Sequence, residues 1–225
     1  MKKMNLTKLM AVLVVLCLIT STFVGSTLAK YVTSGTGEDI ARVAKFGVTV
    51  TANGGLFAKG YKLADTISTE TEGEASVWSS NTDNLLAPGT SGELAQMTLA
   101  GQPEVDVKVT YDAEVTINDK WVVNTENYFP IEVSVNGTPV AYAIDDDAAD
   151  IEAAIEAAIE AYSKTYDANK DLSTVGADSL DITWAWDYEG NDDEKDTALG
   201  DAAAADLANA GKLTVNVKTI VTQVD

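Results

Sequence analysis

The chain has no histidine and a single cysteine, Cys17, and these two scarcities exclude several kinds of chemistry. Without histidine there is no His-ligated zinc site, no HExxH metalloprotease motif and no Ser-His-Asp triad. With one cysteine there is no intramolecular disulfide, so folding must depend on an ordinary apolar core. Glycoside hydrolysis needs only two carboxylates, but among 35 acidic residues no pair is singled out.

The first 29 residues have the order of a secretory signal peptide. Three lysines precede an uninterrupted apolar run over residues 9–19, and mostly smaller residues follow as far as Ala29. We therefore expect a signal peptidase to cut between Ala29 and Lys30. The apolar run is shorter than the roughly twenty residues that span a bilayer, so we favour cleavage over a retained anchor. Contact with the membrane is then transient.

The mature chain, residues 30–225, is strongly acidic. Removing the three lysines of the signal segment leaves 12 basic against 35 acidic residues, a formal charge of −23. Such a chain repels nucleic acid and anionic lipid, so we expect protein or cationic partners and no nucleic acid. A chain of this length buries roughly 70% of its unfolded surface, which is enough for one domain over residues 41–225.

Alternation of apolar and polar residues predicts a protein dominated by β-strands. In residues 105–117 every odd-numbered position is apolar or aromatic, and the even-numbered ones are charged residues or threonine. A strand with one buried and one wet face is typical of antiparallel sheets. Similar alternation occurs within residues 41–52, 131–135, 180–188 and 213–224. Asn136-Gly137 predicts a type I′ hairpin turn, and Ala87-Pro88-Gly89 predicts a type II turn. We expect an antiparallel β-sandwich with a helical insertion, behind a cleaved signal peptide (1–29) and a flexible leader (30–40).

Two helices are expected to interrupt the strands. The first, over about residues 147–167, places five apolar side chains at helical spacing. These side chains are Ile151, Ile155, Ile159, Tyr162 and Tyr166. The same helix carries a ladder of like charges, Glu152, Glu156 and Glu160, which we interpret as a solvated face. The second helix is predicted at residues 197–209, after an acidic loop at 190–196.

The acidic loop and the tryptophans each leave a binding role open. Four carboxylates of the loop are weak candidates for calcium ligands: Asp192, Asp193, Glu194 and Asp196. Because their spacing is not that of an EF-hand and Lys195 lies among them, we favour an ordinary solvated loop. Exposed tryptophans could stack on sugar rings. Trp184 and Trp186 lie on the apolar side of their strand and are assigned to the core, while Trp121 stays open.

Several segments together resemble the TasA/camelysin family of proteins secreted by Firmicutes. The sequence STLA before the expected cut, followed by KYVTSG and ARVAKFGVTVTA, looks like that family's passage from signal peptide to first strand. The turn LLAPGTSGEL before a long alternating strand is similar too. The tryptophan strand, the segment DDEKDTALG and the final strand look like a clostridial branch of the family.

The resemblance implies a jelly-roll domain, a dedicated signal peptidase, and assembly into biofilm-matrix fibres outside a Gram-positive cell. It also implies donor-strand exchange, in which the segment after the cut completes the sheet of another copy or of a paralogous subunit. Lys30, Tyr31 and Val32 would begin that donor strand. Residues 30–39 offer only Tyr31 and Val32 as apolar anchors, so the donor needs residues 40–46 as well.

The sequence therefore favours a non-enzymatic structural subunit that needs no cofactor. Some relatives are assigned metalloprotease activity, which we do not transfer to a chain without histidine. The alternative is a monomeric surface β-sandwich that binds a glycan or calcium.

Overall fold

A computed structural model describes residues 42–51, 55–62, 76–80, 83–94, 98–175, 180–190 and 192–224. The chain divides into two units, Met1–Arg42 and Val43–Asp225, and every described strand and helix belongs to the second. The predicted signal peptide (1–29), its cleavage site, the leader (30–40) and Lys30, Tyr31 and Val32 lie outside the described residues. Within those residues, no helix combines the length and the apolar character needed to cross a membrane.

Antiparallel strands dominate the described residues, as the alternating sequence predicted. The strands are β1 (Val48–Thr51), β2 (Gly60–Tyr61), β3 (Val77–Trp78), β4 (Thr90–Leu94), β5 (Thr98–Gly101), β6 (Val107–Ile117), β7 (Val122–Val123), β8 (Glu126–Asn127), β9 (Ile131–Val135), β10 (Thr138–Pro139), β11 (Ser163–Tyr166), β12 (Ile182–Trp186) and β13 (Leu213–Gln223). The α-helices among them are α1 (Ala148–Glu160) and α2 (Asp193–Ala205), and 3-10 turns span Leu172–Thr174 and Leu207–Asn209.

The strands form two larger sheets and three ribbons. One sheet has the order β10-β9-β12-β4, and the other has the order β11-β6-β13. The ribbons are β1-β5, β2-β3 and β7-β8. Each of these pairings is antiparallel.

Two turns follow the chemistry predicted for them. Asn136 and Gly137, with φ of 50° and 72°, join β9 to β10 in the type I′ geometry that an Asn-Gly pair favours. Before β4, the N–H of Thr90 donates to the carbonyl of Ala87 at 3.0 Å. Gly89 has a φ of 80° there, as position i+2 of a type II turn requires.

Two predicted strands are shorter than expected. The N–H of Glu104 donates to the Lys45 carbonyl at 2.8 Å, and its carboxylate accepts from the Lys45 N–H at 2.9 Å. This contact extends the β1-β5 register, but Gly47, between Lys45 and β1, has a φ of 39°, and the strand predicted within residues 41–52 begins only at Val48. The strand predicted from residue 105 begins at Val107, where its pairing with β11 and β13 begins.

The prediction for the first helix is wrong at its carboxyl end. Helix α1 stops at Glu160, and residues Ser163–Tyr166 form strand β11, which pairs with β6. Tyr162 and Tyr166 are four residues apart, a spacing that fits one face of a helix and also one face of a strand. Pairing of Tyr166 with Val107 of β6 shows that this segment is a strand. The Tyr162 ring lies 5.9 Å from the ring of Tyr111 on β6.

The second helix, α2, begins four residues earlier than predicted. Asp192 lies at its N-cap, and the Asp192 carboxylate accepts from the N–H groups of Glu194 and Lys195, both at 3.1 Å. Acidic side chains in a first turn are also favoured by the helix dipole. Most of the segment predicted as an acidic loop is thus the start of a helix. The helix ends at Ala205, before the 3-10 turn.

Alternate residues of β6, β9 and β12 build one apolar core. Trp184 and Trp186 on β12 are 1% and 5% exposed, which confirms their predicted place in it. Trp121 is also buried, with its ring 5.0 Å from Phe129 and 5.8 Å from Trp186. The question left open for Trp121 is therefore decided in favour of the core.

Close packing around Trp184 makes Gly92 a sensitive position. The Trp184 indole donates to the Leu56 carbonyl at 2.7 Å, and a Cβ added to Gly92 would overlap both groups. We expect Gly92→Ala to lower the free energy of unfolding by about 1–3 kcal/mol. Urea denaturation followed by tryptophan fluorescence measures it.

Gly200→Ala is the matched control. Gly200 lies within α2 with open space around its Cα, so alanine should raise the free energy of unfolding by about 0.5–1 kcal/mol. Equal effects of the two substitutions would contradict this account of Gly92.

Candidate functional site

The edges of the two larger sheets differ in what covers them. A strand edge carries N–H and C=O groups that need partners, and an uncovered edge can pair with another chain. The edge strands are β10 and β4 in one sheet and β11 and β13 in the other. The following contacts show which edges are covered.

The β9-β10 side of the four-stranded sheet is closed by proline and by a tyrosine. Strand β10 has two residues and ends in Pro139, which has no N–H to offer. Beyond it, the Tyr142 hydroxyl accepts from the Val133 N–H at 3.1 Å and donates to the Ile131 carbonyl at 2.6 Å. Burial raises the pKa of Tyr142 well above its ordinary value, so the hydroxyl remains protonated and able to donate.

The face of that sheet is covered at β4 and β12. The Leu56 carbonyl lies directly against Gly92, near the middle of β4, on the side where a Cβ would project. That carbonyl also accepts from the indole of Trp184 on the neighbouring strand β12. These contacts lie over the face of the sheet, and no other described strand pairs with the outward edge of β4.

Helix α1 covers the edge of β6 that β11 leaves open. Strand β11 pairs only with Val107–Thr110. Further along, three glutamates of α1, which we call the glutamate comb, accept from backbone N–H groups of β6. The contacts are Glu152 to Ile117 at 2.6 Å, Glu156 to Val115 at 2.8 Å and Glu160 to Ala113 at 3.4 Å. The prediction that these glutamates form a solvated face is wrong for Glu152 and Glu156, which are half-buried, whereas Glu160 is exposed.

The comb fits because two periods nearly coincide. Four helical residues rise about 6 Å, and two strand residues rise about 6.8 Å. Glutamates at every fourth position of α1 can therefore meet N–H groups at every second position of β6. Ile151, Ile155 and Ile159 are each at most 1% exposed and hold the helix in place.

Only alternate residues of β13 form hydrogen bonds to β6, and this alternation identifies the backbone groups that point outward. The Asn118 N–H donates to the Lys212 carbonyl, and the Val224 N–H donates to the Asp106 carbonyl. Both pairs extend the β6-β13 register, so even-numbered residues of β13 bond to β6. The N–H and C=O groups of odd-numbered residues, including Val217, point away from β6.

The outward edge of β13 is the candidate site. Among the described strands, none pairs with the outward backbone groups of Val215, Val217 and Val221. Val215, Val217 and Val221 are half-buried and pack on the core from this strand. The strand has no acidic residue and one lysine, Lys218. Proteins usually protect a long edge with charges, proline or a bulge. Strand β13 has little such protection.

The described domain begins close to where β13 ends. Lys45 is bonded to Glu104, and Val224 is bonded to Asp106. Glu104 and Asp106, which form these two contacts, are only two positions apart in the chain. Lys45, near the start of the described residues, therefore lies near the carboxyl end of the candidate edge.

The proposed calcium ligands are not brought together around one point. Asp192 caps α2, and Asp193 and Glu194 are exposed. Asp196 points inward, where it accepts from the Tyr128 hydroxyl at 2.7 Å and from the Trp186 indole at 3.3 Å. In the part of the chain that the structure describes, no three Asp, Glu, His or Cys side chains form a group able to hold a metal ion.

Tyr128 fastens α2 to the strands. Burial, and then the hydrogen bond to Asp196, raise the pKa of Tyr128 well above its ordinary value, so the hydroxyl stays a donor. The Lys195 ammonium lies 5.4 Å from the centre of the Tyr128 ring and 3.2 Å from a carboxylate oxygen of Glu126. This arrangement supports a structural role for Asp196.

A small cleft lies near the amino end of α1. It has a volume of about 40 Å³ and is lined partly by Trp121, Phe129 and Asp146. That volume holds roughly three water molecules, and ligand pockets are usually about 300 Å³ or larger. The cleft is therefore too small for a sugar ring.

No family model, curated protein or solved structure matches this chain. The functional assignment therefore depends on the residues themselves. Neither the β13 edge nor the comb was predicted from the sequence as a site. Two signals were present: the absence of acids from the final strand and the spacing of Glu152, Glu156 and Glu160.

The inward position of Asp196 predicts unequal effects within the acidic segment. Asp196→Ala leaves two buried donors without their acceptor and should lower the free energy of unfolding by about 1–3 kcal/mol. The exposed Asp193 is the control, and Asp193→Ala should change it by about 0.5 kcal/mol or less. Urea denaturation measures both.

The same variants examine the calcium alternative. If the segment is structural, calcium and a chelator should give the same Tm for wild type and Asp193→Ala. A calcium-dependent rise in Tm that Asp193→Ala abolishes would restore the binding interpretation.

Proposed function

We propose that this chain is a secreted structural subunit of cell-surface or biofilm-matrix fibres that assembles by strand exchange at β13. The observation that carries the proposal is the outward edge of β13 at Val215, Val217 and Val221, which pairs with no other described strand and belongs to a strand without acidic residues. The signal-like segment 1–29 supports export from a Gram-positive cell of the Firmicutes type. In this proposal the chain is not an enzyme and needs no cofactor.

An added strand would satisfy β13 in two ways. Its backbone would bond to outward N–H and C=O groups such as those of Val217, as in other cases of strand addition. Its apolar side chains would cover Val215, Val217 and Val221, which are half-buried already. Backbone hydrogen bonds and apolar burial would therefore act together.

The donor in this proposal is the segment that cleavage at Ala29 sets free. It was expected to extend through residue 46, but Lys45 is bonded to Glu104 within the domain, so the donor ends before that contact. Residues 30–42 comprise two basic and two acidic side chains, so the segment is formally neutral in a chain of charge −23. β13 is also free of acids, so the two partners do not repel each other directly. Thirteen extended residues span about 43 Å, enough to cover an eleven-residue edge of about 37 Å.

We further propose that the two larger sheets are the layers of a jelly-roll-like β-sandwich. Buried residues of β6, β9 and β12 belong to one core cluster, which supports a layered arrangement. The partners would be a signal peptidase during export, and then further copies of this chain or paralogous subunits. The alternative, a monomeric module that binds a glycan or calcium, gains no support from the buried Trp121, Trp184 and Trp186.

A proline at an outward position should block assembly without breaking the domain. The Val217 N–H points away from β6, so Val217→Pro removes a donor that only an added strand would use. Val217→Thr is the control, because it keeps the N–H and the β-branched shape. We expect the mature chain (30–225) and Val217→Thr to form fibres, and Val217→Pro to remain monomeric.

Negative-stain microscopy and sedimentation measure the outcome, with circular dichroism to check folding. A mature chain lacking residues 30–40 should also fail to form fibres. The proposal is wrong if the mature chain stays monomeric under all conditions, or if Val217→Pro assembles as well as Val217→Thr.

A further inference from the structure

The glutamate comb occupies the place where a second strand could join the same sheet. Strand β6 is eleven residues long, but β11 pairs with only four of them. Without a cover, the N–H groups of Ala113, Val115 and Ile117 would form an edge open to strand addition. The comb meets all three groups.

A helix and a strand differ in what they leave exposed. A strand laid along residues 111–117 would satisfy this edge but would present an outer edge of its own. Helix α1 satisfies the N–H groups through carboxylates, while its own backbone groups are bonded along the helix axis. The sheet therefore ends at α1 and cannot be extended there.

The carboxylates also disfavour an incoming strand. A donor strand brings carbonyl oxygens as well as N–H groups, and those oxygens would meet the acidic oxygens of Glu152 and Glu156. To displace the helix it would also have to expose Ile151, Ile155 and Ile159, which are now buried. The polar and apolar contacts of α1 therefore protect the same edge.

We propose that the glutamate comb closes the edge of β6 between residues 113 and 117, so that β13 is the long edge of this sheet that accepts a strand and fibres do not branch at α1. This inference rests on the strand-exchange function proposed above. It assigns to Glu152, Glu156 and Glu160 the role of deciding where a second copy of the chain can bind.

The test compares two triple variants of the mature chain. Replacing all three glutamates by glutamine keeps an oxygen acceptor at each position, whereas replacing all three by alanine removes it. With alanine, we expect the amides of Val115 and Ile117 to exchange with solvent about tenfold faster in the monomer. We also expect branched or laterally widened assemblies. The glutamine variant should resemble wild type in both measurements.

The two measurements separate failure of this inference from failure of the proposed function. If wild type forms no fibres, strand exchange is wrong, whatever the amide exchange shows. If wild type forms fibres and the alanine variant forms the same unbranched fibres, the comb does not select the edge and the inference is overturned. Unchanged exchange at Val115 and Ile117 would overturn it as well.

A milder variant keeps the test decisive if the triple alanine variant does not fold. Glu156→Ala removes the middle contact, 2.8 Å long, and leaves Glu152 and all three isoleucines in place. It should accelerate exchange at Val115 more than at Ile117 and give some branching. Its control is Glu156→Gln, and equal exchange and equal fibre shape in this pair would reject the inference.

Discussion

The hydrogen bonds on the two edges of β6 are the contacts on which the other elements depend. One edge bonds to β13 along eleven residues, and the other bonds first to β11 and then to the glutamate comb of α1. These bonds fix the place of α1, whose isoleucines complete the core. They also determine which alternate residues of β13 bond to β6, and therefore which of its backbone groups face outward. The candidate site is thus a consequence of how a central strand satisfies its own backbone.

Much of the strand structure follows from local chemistry that a sequence displays. The alternation in β6, the Asn136-Gly137 turn and the burial of Trp184 were predicted because each depends on nearby residues. Tyr162 and Tyr166 were misplaced because their spacing suits a strand as well as a helix, and only pairing with distant β6 separates the two. The comb was missed because identical glutamates on a solvated face would have the same spacing.

At the edges of these sheets, side chains form hydrogen bonds that a neighbouring strand would usually form. The Tyr142 hydroxyl closes β9, and three carboxylates close part of β6. A subunit that polymerises must resist pairing at most of its edges while allowing it at one. Caps made from side chains achieve this, because they satisfy a backbone group without providing another edge. The acid-free β13 is the contrasting case, and its difference from the covered edges gives the proposed assembly its direction.

The lengthening contacts of the comb reveal a limit on this kind of cover. From Glu152 to Glu160 the distance between the glutamate oxygen and the backbone nitrogen of β6 grows from 2.6 to 2.8 to 3.4 Å. The distance grows because four residues of a helix rise less than two residues of a strand. The rise of helix and strand differs by about 0.8 Å at each step, and the glutamate side chains take up part of that difference. The last contact is already 3.4 Å long, so a fourth glutamate would be out of reach and the helix covers only residues 113–117 in this way. Strand β11 begins at Ser163, soon after that limit, and the chain then covers the edge of β6 with a strand in place of the helix.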